Sequence, residues 1–82
     1  MAQRILAFKL DPEADALYIR LADKPYAYGK DLDNERRVDY ADDSTPIGIE
    51  LLDVSQGVEL ADLPCRQEVS RVLELAGIPL YA

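Results

Sequence analysis

Three carboxylates lie close together near the start of the chain, in the stretch DPEADALYIRL. Asp11, Glu13 and Asp15 match positions one, three and five of a calcium-binding loop. Position six of such a loop requires glycine for its sharp turn, and position twelve requires a bidentate glutamate. This chain has Ala16 and Ala22 at those positions. The pattern therefore favours a turn between two strands over a calcium site.

A second acidic run fails as a calcium loop for the same reason. Asp31, Asp33 and Glu35 have the right spacing, but Arg36 stands at position six and Asp42 at position twelve. Zinc has too few ligands, because the chain contains no histidine and only one cysteine. We predict no metal site and no cofactor.

The first acidic stretch instead contains residues that favour a tight reversal of the chain. Pro12 fixes φ for the start of a helical turn, and Asp11 can accept hydrogen bonds from the N–H groups of that turn. Asp15 can accept a further local hydrogen bond where the chain becomes extended again. A hairpin needs this chemistry whether or not a ligand binds.

Few groups in the chain could support nucleophilic catalysis. Without histidine, Cys65 and the serines lack the usual base. Cys65 is predicted in the first turn of a helix beside Arg66, where the helix dipole can lower the pKa of a thiol. The alternative, which we favour, is a small side chain packed beneath the start of the helix. We predict no catalytic residue of this kind, and a non-enzymatic role is favoured.

Two further acids, Asp39 and Glu50, lie within predicted strands that are adjacent in a hairpin. They could approach each other across the hairpin and act as a general acid–base pair. The alternative is a pair of solvent-facing charges that form surface ion pairs with Arg20 or Arg37, as exposed strand positions commonly do.

The elements that would position these residues are indicated by hydrophobic periodicity. Alternation of period two predicts strands at residues 4–10, 16–22, 26–31, 36–41 and 47–54. Apolar residues at spacings of three and four predict a helix at residues 64–76, which Gly77 would end. The predicted fold class is therefore α+β. It is an antiparallel meander of four to five strands with one C-terminal helix packed on one face, in a single domain spanning residues 1–82.

Three tyrosines could lie on one face of this sheet if the strands register as their alternation suggests. These are Tyr18, Tyr28 and Tyr40. Tyrosine is common in sheets for packing reasons, and it is also enriched at protein interfaces. Packing within the sheet and an interface, including self-association, remain equally open. One helix cannot cover five strands, so some apolar surface must face water or another subunit.

Composition and charge exclude some partners. The chain has nine basic and sixteen acidic residues, for a formal net charge of −7. Phosphate backbones repel such a domain, and no basic stripe exists to overcome the repulsion, so we expect no nucleic-acid binding. A basic protein partner fits the charge better. We expect no membrane span or secretory signal, and the single cysteine favours a cytoplasmic location.

Three motifs in order, DPEADALYIRL, VDYADD and GIELLDVS, give the chain a family resemblance. It resembles a small bacterial family catalogued as domain of unknown function 2283, over residues 8–55. The turn DDSTP lacks the glycine that the family usually carries there, and Leu10 replaces a frequent tyrosine. No activity, cofactor or catalytic residue is established for the family. Its relatives often stand beside genes for small toxin-like proteins, which implies an antitoxin or regulatory binder.

Two functional hypotheses follow from these observations. The first is a non-enzymatic protein-interaction module that self-associates as a homodimer and binds a basic protein partner. The alternative is a small carboxylate-dependent enzyme or ligand-binding domain that uses Asp39 and Glu50, which would require a concave pocket.

Overall fold

Five alternating segments form one antiparallel sheet in the computed structural model, which describes residues 5–80. The strands are β1 (Ala7–Asp11), β2 (Ala16–Arg20), β3 (Tyr28–Asp31), β4 (Arg36–Tyr40) and β5 (Pro46–Leu52). A short 3₁₀ turn, Val54–Gln56, follows β5, and one helix, α1 (Arg66–Ala76), lies near the C-terminus. The predicted α+β fold class is confirmed.

The strand order in the sheet is β1-β2-β5-β4-β3, and all neighbours are antiparallel. The β1–β2 hairpin and the β3–β4–β5 meander are joined through pairing of β2 with β5. The connection from β2 therefore passes across the sheet before β3 begins. This order places β5 in the centre and leaves β1 and β3 at the two edges.

The core lies between one face of the sheet and α1. Alternate residues of the three central strands point into it, because side chains of a strand project to opposite faces in turn. The fully buried members with the largest volumes are Leu17, Ile19, Val38, Ile49, Leu51, Val69 and Leu73. Val69 and Leu73 come from α1, whose apolar spacing of three and four residues places them on its inward face.

The helix α1 ends as its sequence predicts. Gly77 has a left-handed conformation (φ 72°), and its N–H donates to the carbonyl of Glu74 at 3.1 Å. The N–H of Ile78 then donates to the carbonyl of Leu73 at 2.8 Å, which satisfies a second carbonyl of the last turn. The helix begins at Arg66 instead of residue 64, because Cys65 has the non-helical φ of 54°.

Several strands are shorter than alternation predicts. The strand predicted at residues 47–54 ends at Leu52, because Asp53 turns the chain with φ 52° and Val54 begins the 3₁₀ turn. Val54 is apolar and buried, so the apolar pattern of the sequence continues past the residue at which β5 ends. The first predicted strand, residues 4–10, begins at Ala7, and its Arg4 lies outside the described residues.

The remaining strand ends differ by one or two residues. The strand predicted at 16–22 ends at Arg20, that at 26–31 begins at Tyr28, and that at 36–41 ends at Tyr40. Backbone bonding continues past two of these ends, since the N–H of Leu21 donates to Ile47 and that of Ala27 donates to Tyr40, each at 2.9 Å.

A nearly buried arginine fastens the segment between β5 and α1 to the sheet. The Arg36 side chain is only 11% exposed, and its Nε donates to Oδ2 of Asp33 at 2.9 Å. Its Nη1 donates to the carbonyl oxygens of Glu59 at 3.0 Å and Ala61 at 2.6 Å. Arg36 thereby satisfies two carbonyls of a segment that has little secondary structure of its own.

Among residues 5–80, no helix is both long and apolar enough to span a membrane.

We expect Arg36→Met to lower the free energy of unfolding by about 2 kcal/mol, because it leaves hydrogen-bond acceptors unsatisfied near the core. Arg20→Met is the matched control. It removes the same charge, but Arg20 pairs at 3.0 Å with an Asp23 side chain that is 90% exposed. Its expected cost is at most about 1 kcal/mol. Urea unfolding followed by circular dichroism measures both, and equal losses would contradict the fastening role of Arg36.

Candidate interaction surface

Tyr28 and Tyr40 form a stacked pair between β3 and β4. They are register partners, with ring centroids 5.1 Å apart and ring planes inclined by 17°. The hydroxyl of Tyr28 shares a hydrogen bond with Oγ of Ser44 at 2.8 Å. Tyr40 also packs against the core, on the same side of β4 as Val38. The pair therefore contributes to packing within the sheet.

Tyr18 lies on the opposite face of the sheet. It alternates with the buried Leu17 and Ile19, and its phenol occupies the space where a Cβ at Gly48 would stand. Burial raises the pKa of Tyr18, and the nearby charge of Asp39 raises it further. The prediction that Tyr18 shares a face with Tyr28 and Tyr40 is wrong, because Tyr40 is in step with the inward-facing Val38.

Asp39 and Glu50 do lie on one face, as adjacent hairpin strands allow. The register places Asp39 opposite Gly48 and Glu50 opposite Arg37, so the two acids are diagonal neighbours. Nε of Arg37 donates to Oδ1 of Asp39 at 3.3 Å, and the Asp39 side chain is 18% exposed. Glu50 is exposed. An arginine thus neutralises one member of the predicted acid pair.

Arg37 is the centre of a polar network on this face. Its Nη2 donates to the hydroxyl of Tyr26 at 3.1 Å, and its Nη1 donates to Oδ1 of Asp31 at 3.1 Å. The hydrogen bonds to Tyr26, Asp31 and Asp39, in that order of size, raise the pKa of the guanidinium. The guanidinium lies over Gly29, where a Cβ would collide with it. Glycine at this position lets the arginine lie flat on the sheet.

Two depressions near this part of the sheet are small, and of the predicted acid pair only Glu50 borders one of them. One between Arg36, Leu51 and Val58 has a volume of about 50 Å³, and another between Arg37 and Glu50 has about 40 Å³. Each has room for a few water molecules, whereas pockets for small ligands measure about 300–1,000 Å³. A larger depression of about 550 Å³ borders α1, but it is broad and shallow. Asp39 and Glu50 are not among the residues that line it.

The first acidic stretch forms a turn. Oδ1 of Asp11 accepts hydrogen bonds from the N–H groups of Glu13 at 3.1 Å and Ala14 at 3.2 Å, so its predicted capping role is confirmed. Asp15 does not make the predicted local bond. Its two oxygens accept bonds from the N–H and Oγ of Ser55, at 3.0 and 2.7 Å, across 40 residues of sequence.

The second acidic run is also a turn. Oδ1 of Asp33 accepts a hydrogen bond from the N–H of Glu35 at 2.9 Å, and this bond is the main reason that the pKa of Asp33 is lowered. Within the part of the chain that the structure describes, no three His, Cys, Asp or Glu residues converge as a metal site would require.

Cys65 packs against the core beneath the start of α1, as the favoured interpretation has it. It stands directly before the first helical residue. Burial raises the pKa of its thiol, and the negative charge of Glu68 adds to the effect. These influences oppose the activation that the helix dipole and Arg66 could supply.

The clearest uncovered apolar surface lies on the edge strand β1. Every residue of β1 is exposed. Leu6, Phe8 and Leu10 are 56%, 43% and 36% exposed, respectively. Phe8 lies opposite Ile19 and Leu10 opposite Leu17, so this row continues the apolar face of the sheet beyond its covered part. We call these three residues the β1 apolar edge. The spacing of Leu6, Phe8 and Leu10 indicates one face, but the sequence alone does not show that β1 is terminal.

The other edge strand, β3, differs from β1 in ways that hinder strand addition. One row of the sheet runs from Phe8 through Ile19, Ile49 and Val38 to Lys30. At the β3 end this row ends in the charged Lys30, which follows Gly29. In the neighbouring strand β4, the register with β5 shifts after Asp39. Inward-pointing charges and bulges are devices that protect sheet edges. Over Ala7–Asp11, β1 keeps an unbroken register of five pairs without glycine or proline.

Comparison with family models supports the resemblance that the three motifs indicate. The model described as "Protein of unknown function (DUF2283)" matches residues 7–55, which is more than half of the chain. The chain belongs to this family. The part that matches the DUF2283 model contains all five strands and ends within the 3₁₀ turn, whereas α1 lies outside it. No curated protein and no solved structure matches the chain.

We expect the Cys65 thiol to react with iodoacetamide at a higher pH midpoint in the native protein than in the urea-unfolded chain. A raised native pKa means that the folded state holds the proton more tightly. The thiol therefore stabilises the fold below its unfolded-state pKa, and this contribution is lost as pH rises through the native pKa. Alkylation rates followed by mass spectrometry across pH measure the midpoint cleanly, because the chain has one cysteine.

Glu68→Gln should move that midpoint part of the way back, because it removes the charge that assists the upward shift. A native midpoint at or below that of the unfolded chain would contradict this interpretation and would identify Cys65 as an activated thiol.

Proposed function

We propose that this protein is a non-enzymatic protein-interaction module that binds a partner chain along β1. The observation that carries the proposal is the β1 apolar edge, where three partly exposed apolar side chains border the side of β1 that has no neighbouring strand among the described residues. An edge of this kind offers both unpaired backbone groups and an apolar strip, which are the two elements of strand addition.

The backbone of β1 is oriented for such pairing. In an antiparallel strand, the N–H and C=O of one residue point to the same side, and successive residues alternate. The N–H of Leu21 donates to the carbonyl of Ile47 in β5, so the backbone N–H and C=O groups of Leu17 and Ile19 also point toward β5. The backbone groups of Tyr18 therefore point toward β1. The backbone groups of Lys9, the register partner of Tyr18, therefore bond to β2. It follows that the N–H and C=O groups of Phe8 and Leu10 point outward.

The apolar strip adds affinity to these hydrogen bonds. Fully burying an exposed Phe or Leu side chain stabilises by about 1.5–3 kcal/mol, and Phe8 and Leu10 would gain a part of this because they are already partly covered. Backbone hydrogen bonds contribute direction and register more than net free energy. The surface is therefore suited to an extended segment with apolar side chains at alternate positions.

The net charge of −7 favours a partner that carries a basic region outside the added strand, since negative charge attracts cations at long range. A regulatory or antitoxin-like role in the cytoplasm is the form of this function that we propose to test first. The alternative of a carboxylate-dependent enzyme has less support. Asp39 is paired with Arg37, and the depression that Glu50 borders holds only a few waters.

Affinity capture from the native host with Phe8→Glu tests this proposal. A charge at position 8 would have to be desolvated when a strand is added, so we expect the variant to lose the proteins that the wild type retains. Leu75→Glu is the matched control, since Leu75 is 80% exposed on α1 and the substitution adds the same charge on the helix instead of on β1. Circular dichroism of both variants verifies folding.

Partners that are retained equally by the wild type and Phe8→Glu would contradict binding along β1. A wild-type protein that captures nothing, neither another protein nor untagged copies of its own chain, would contradict the interaction function itself.

A further inference from the structure

We infer that the strand added to β1 is β1 of a second copy of this chain, antiparallel about a two-fold axis at Phe8. This inference rests on the proposed function and names its partner. The two sheets would form one ten-stranded sheet, twice the five strands of one copy. Phe8 would lie opposite Phe8 of the second copy, and Leu6 opposite its Leu10.

The pattern of β1 is self-complementary, as a two-fold interface requires. Apolar residues occupy positions 6, 8 and 10, so the apolar sequence reads the same in both directions from Phe8. A two-fold axis perpendicular to the sheet keeps each face on its own side. The six side chains of the two apolar edges would therefore meet on the face that carries α1.

Backbone geometry agrees with an axis at this residue. The main-chain groups of Phe8 point away from β2, so two Phe8 residues can exchange both of their N–H···O=C bonds across the axis. Leu10 points outward in the same way and meets the residue at position 6 of the second copy. The N–H of Leu6 already donates to the carbonyl of Arg20 in its own chain at 2.8 Å, so the pair of bonds exchanged at Phe8 is the one that fixes the axis.

Side-chain facing and charge disfavour two neighbouring registers. A shift by one residue would place Phe8 opposite Lys9 and turn the two apolar rows to different faces. A shift by two residues that moves the axis to Lys9 would place Lys9 directly opposite Lys9 of the second copy, where like charges are destabilising. With the axis at Phe8, Lys9 lies opposite Ala7, and no like charges are directly opposed.

Charge also favours this part of the surface for self-association. A net charge of −7 makes two copies repel each other, yet residues 5–10 contain no acid and include Lys9. The first acidic residue is Asp11, at the end of β1. Contact through residues 5–10 therefore brings together acid-free segments of two acidic molecules.

The opposite edge disfavours an open chain of copies. Pairing of β1 with β3 of the next copy would be a head-to-tail contact, which extends indefinitely unless it closes. Lys30 stands in the apolar row of β3, so its ammonium group would be forced against the apolar edge. The closed dimer is therefore favoured over a filament.

Sedimentation equilibrium of the wild type, Phe8→Glu and Leu75→Glu tests the inference. We expect the wild type to sediment at twice its monomer mass of 9.2 kDa and Leu75→Glu to match it. Phe8→Glu should raise the dimer dissociation constant about a hundredfold, since the two-fold axis applies each loss twice. A wild-type monomer at millimolar concentration, or a dimer that is unchanged in Phe8→Glu, would overturn it.

Disulfide cross-linking tests the register. In a Cys65→Ser background, Phe8→Cys should form a linked dimer under mild oxidation, because directly opposed residues have Cα atoms about 5.5 Å apart. Leu10→Cys is the matched control and should link more slowly, because its twin lies farther along the partner strand. Faster linking of Leu10→Cys or of Lys9→Cys would overturn an axis at Phe8.

Failure of this inference can be told apart from failure of the proposed function. A monomeric wild type that still captures another protein in a Phe8-dependent manner would overturn self-pairing and leave the interaction function intact. A monomeric wild type without any Phe8-dependent capture would overturn both.

Discussion

The antiparallel pairing of β2 with β5 is the contact on which the rest of the structure depends. It joins the β1–β2 hairpin to the β3–β4–β5 meander and aligns Leu17 with Leu51 and Ile19 with Ile49. These pairs form the centre of the core face. The same contact moves β3 away from β2 and leaves β1 at an edge. The surface that we propose for binding is therefore a consequence of this long-range pairing.

Local signals in the sequence predicted the elements well, because their physical causes are local. Alternation identified the strands, Asp11 the first turn, and Gly77 the end of α1. Features that depend on distant residues could not be predicted in this way. Alternation shows which residues share a face of one strand, but it does not show which strands are neighbours. For that reason the placement of Tyr18 was wrong and the bond from Ser55 to Asp15 was not foreseen.

The polar residues that first suggest chemistry serve the architecture of the described chain. Asp15 ties the first hairpin turn to the 3₁₀ turn after β5, and Arg36 ties the following segment to the sheet. Asp39 and Arg37 neutralise each other on the open face. The DUF2283 match covers all five strands, so β1 with Phe8 and Leu10 lies within the part of the chain that the family model matches, whereas Leu6 lies just before it. The surface that we propose for binding is the part of the sheet that these polar residues leave uncovered.

Amide hydrogen exchange along β1 tests most directly whether its outer edge receives another strand. In a sample concentrated enough to form the complex, the amide protons of Phe8 and Leu10 should be protected, and dilution should remove that protection. The amide proton of Lys9, which points toward β2, should stay protected at every concentration. If Phe8 and Leu10 exchange rapidly at all concentrations while Lys9 remains protected, β1 pairs with no second copy and self-pairing along this edge is contradicted.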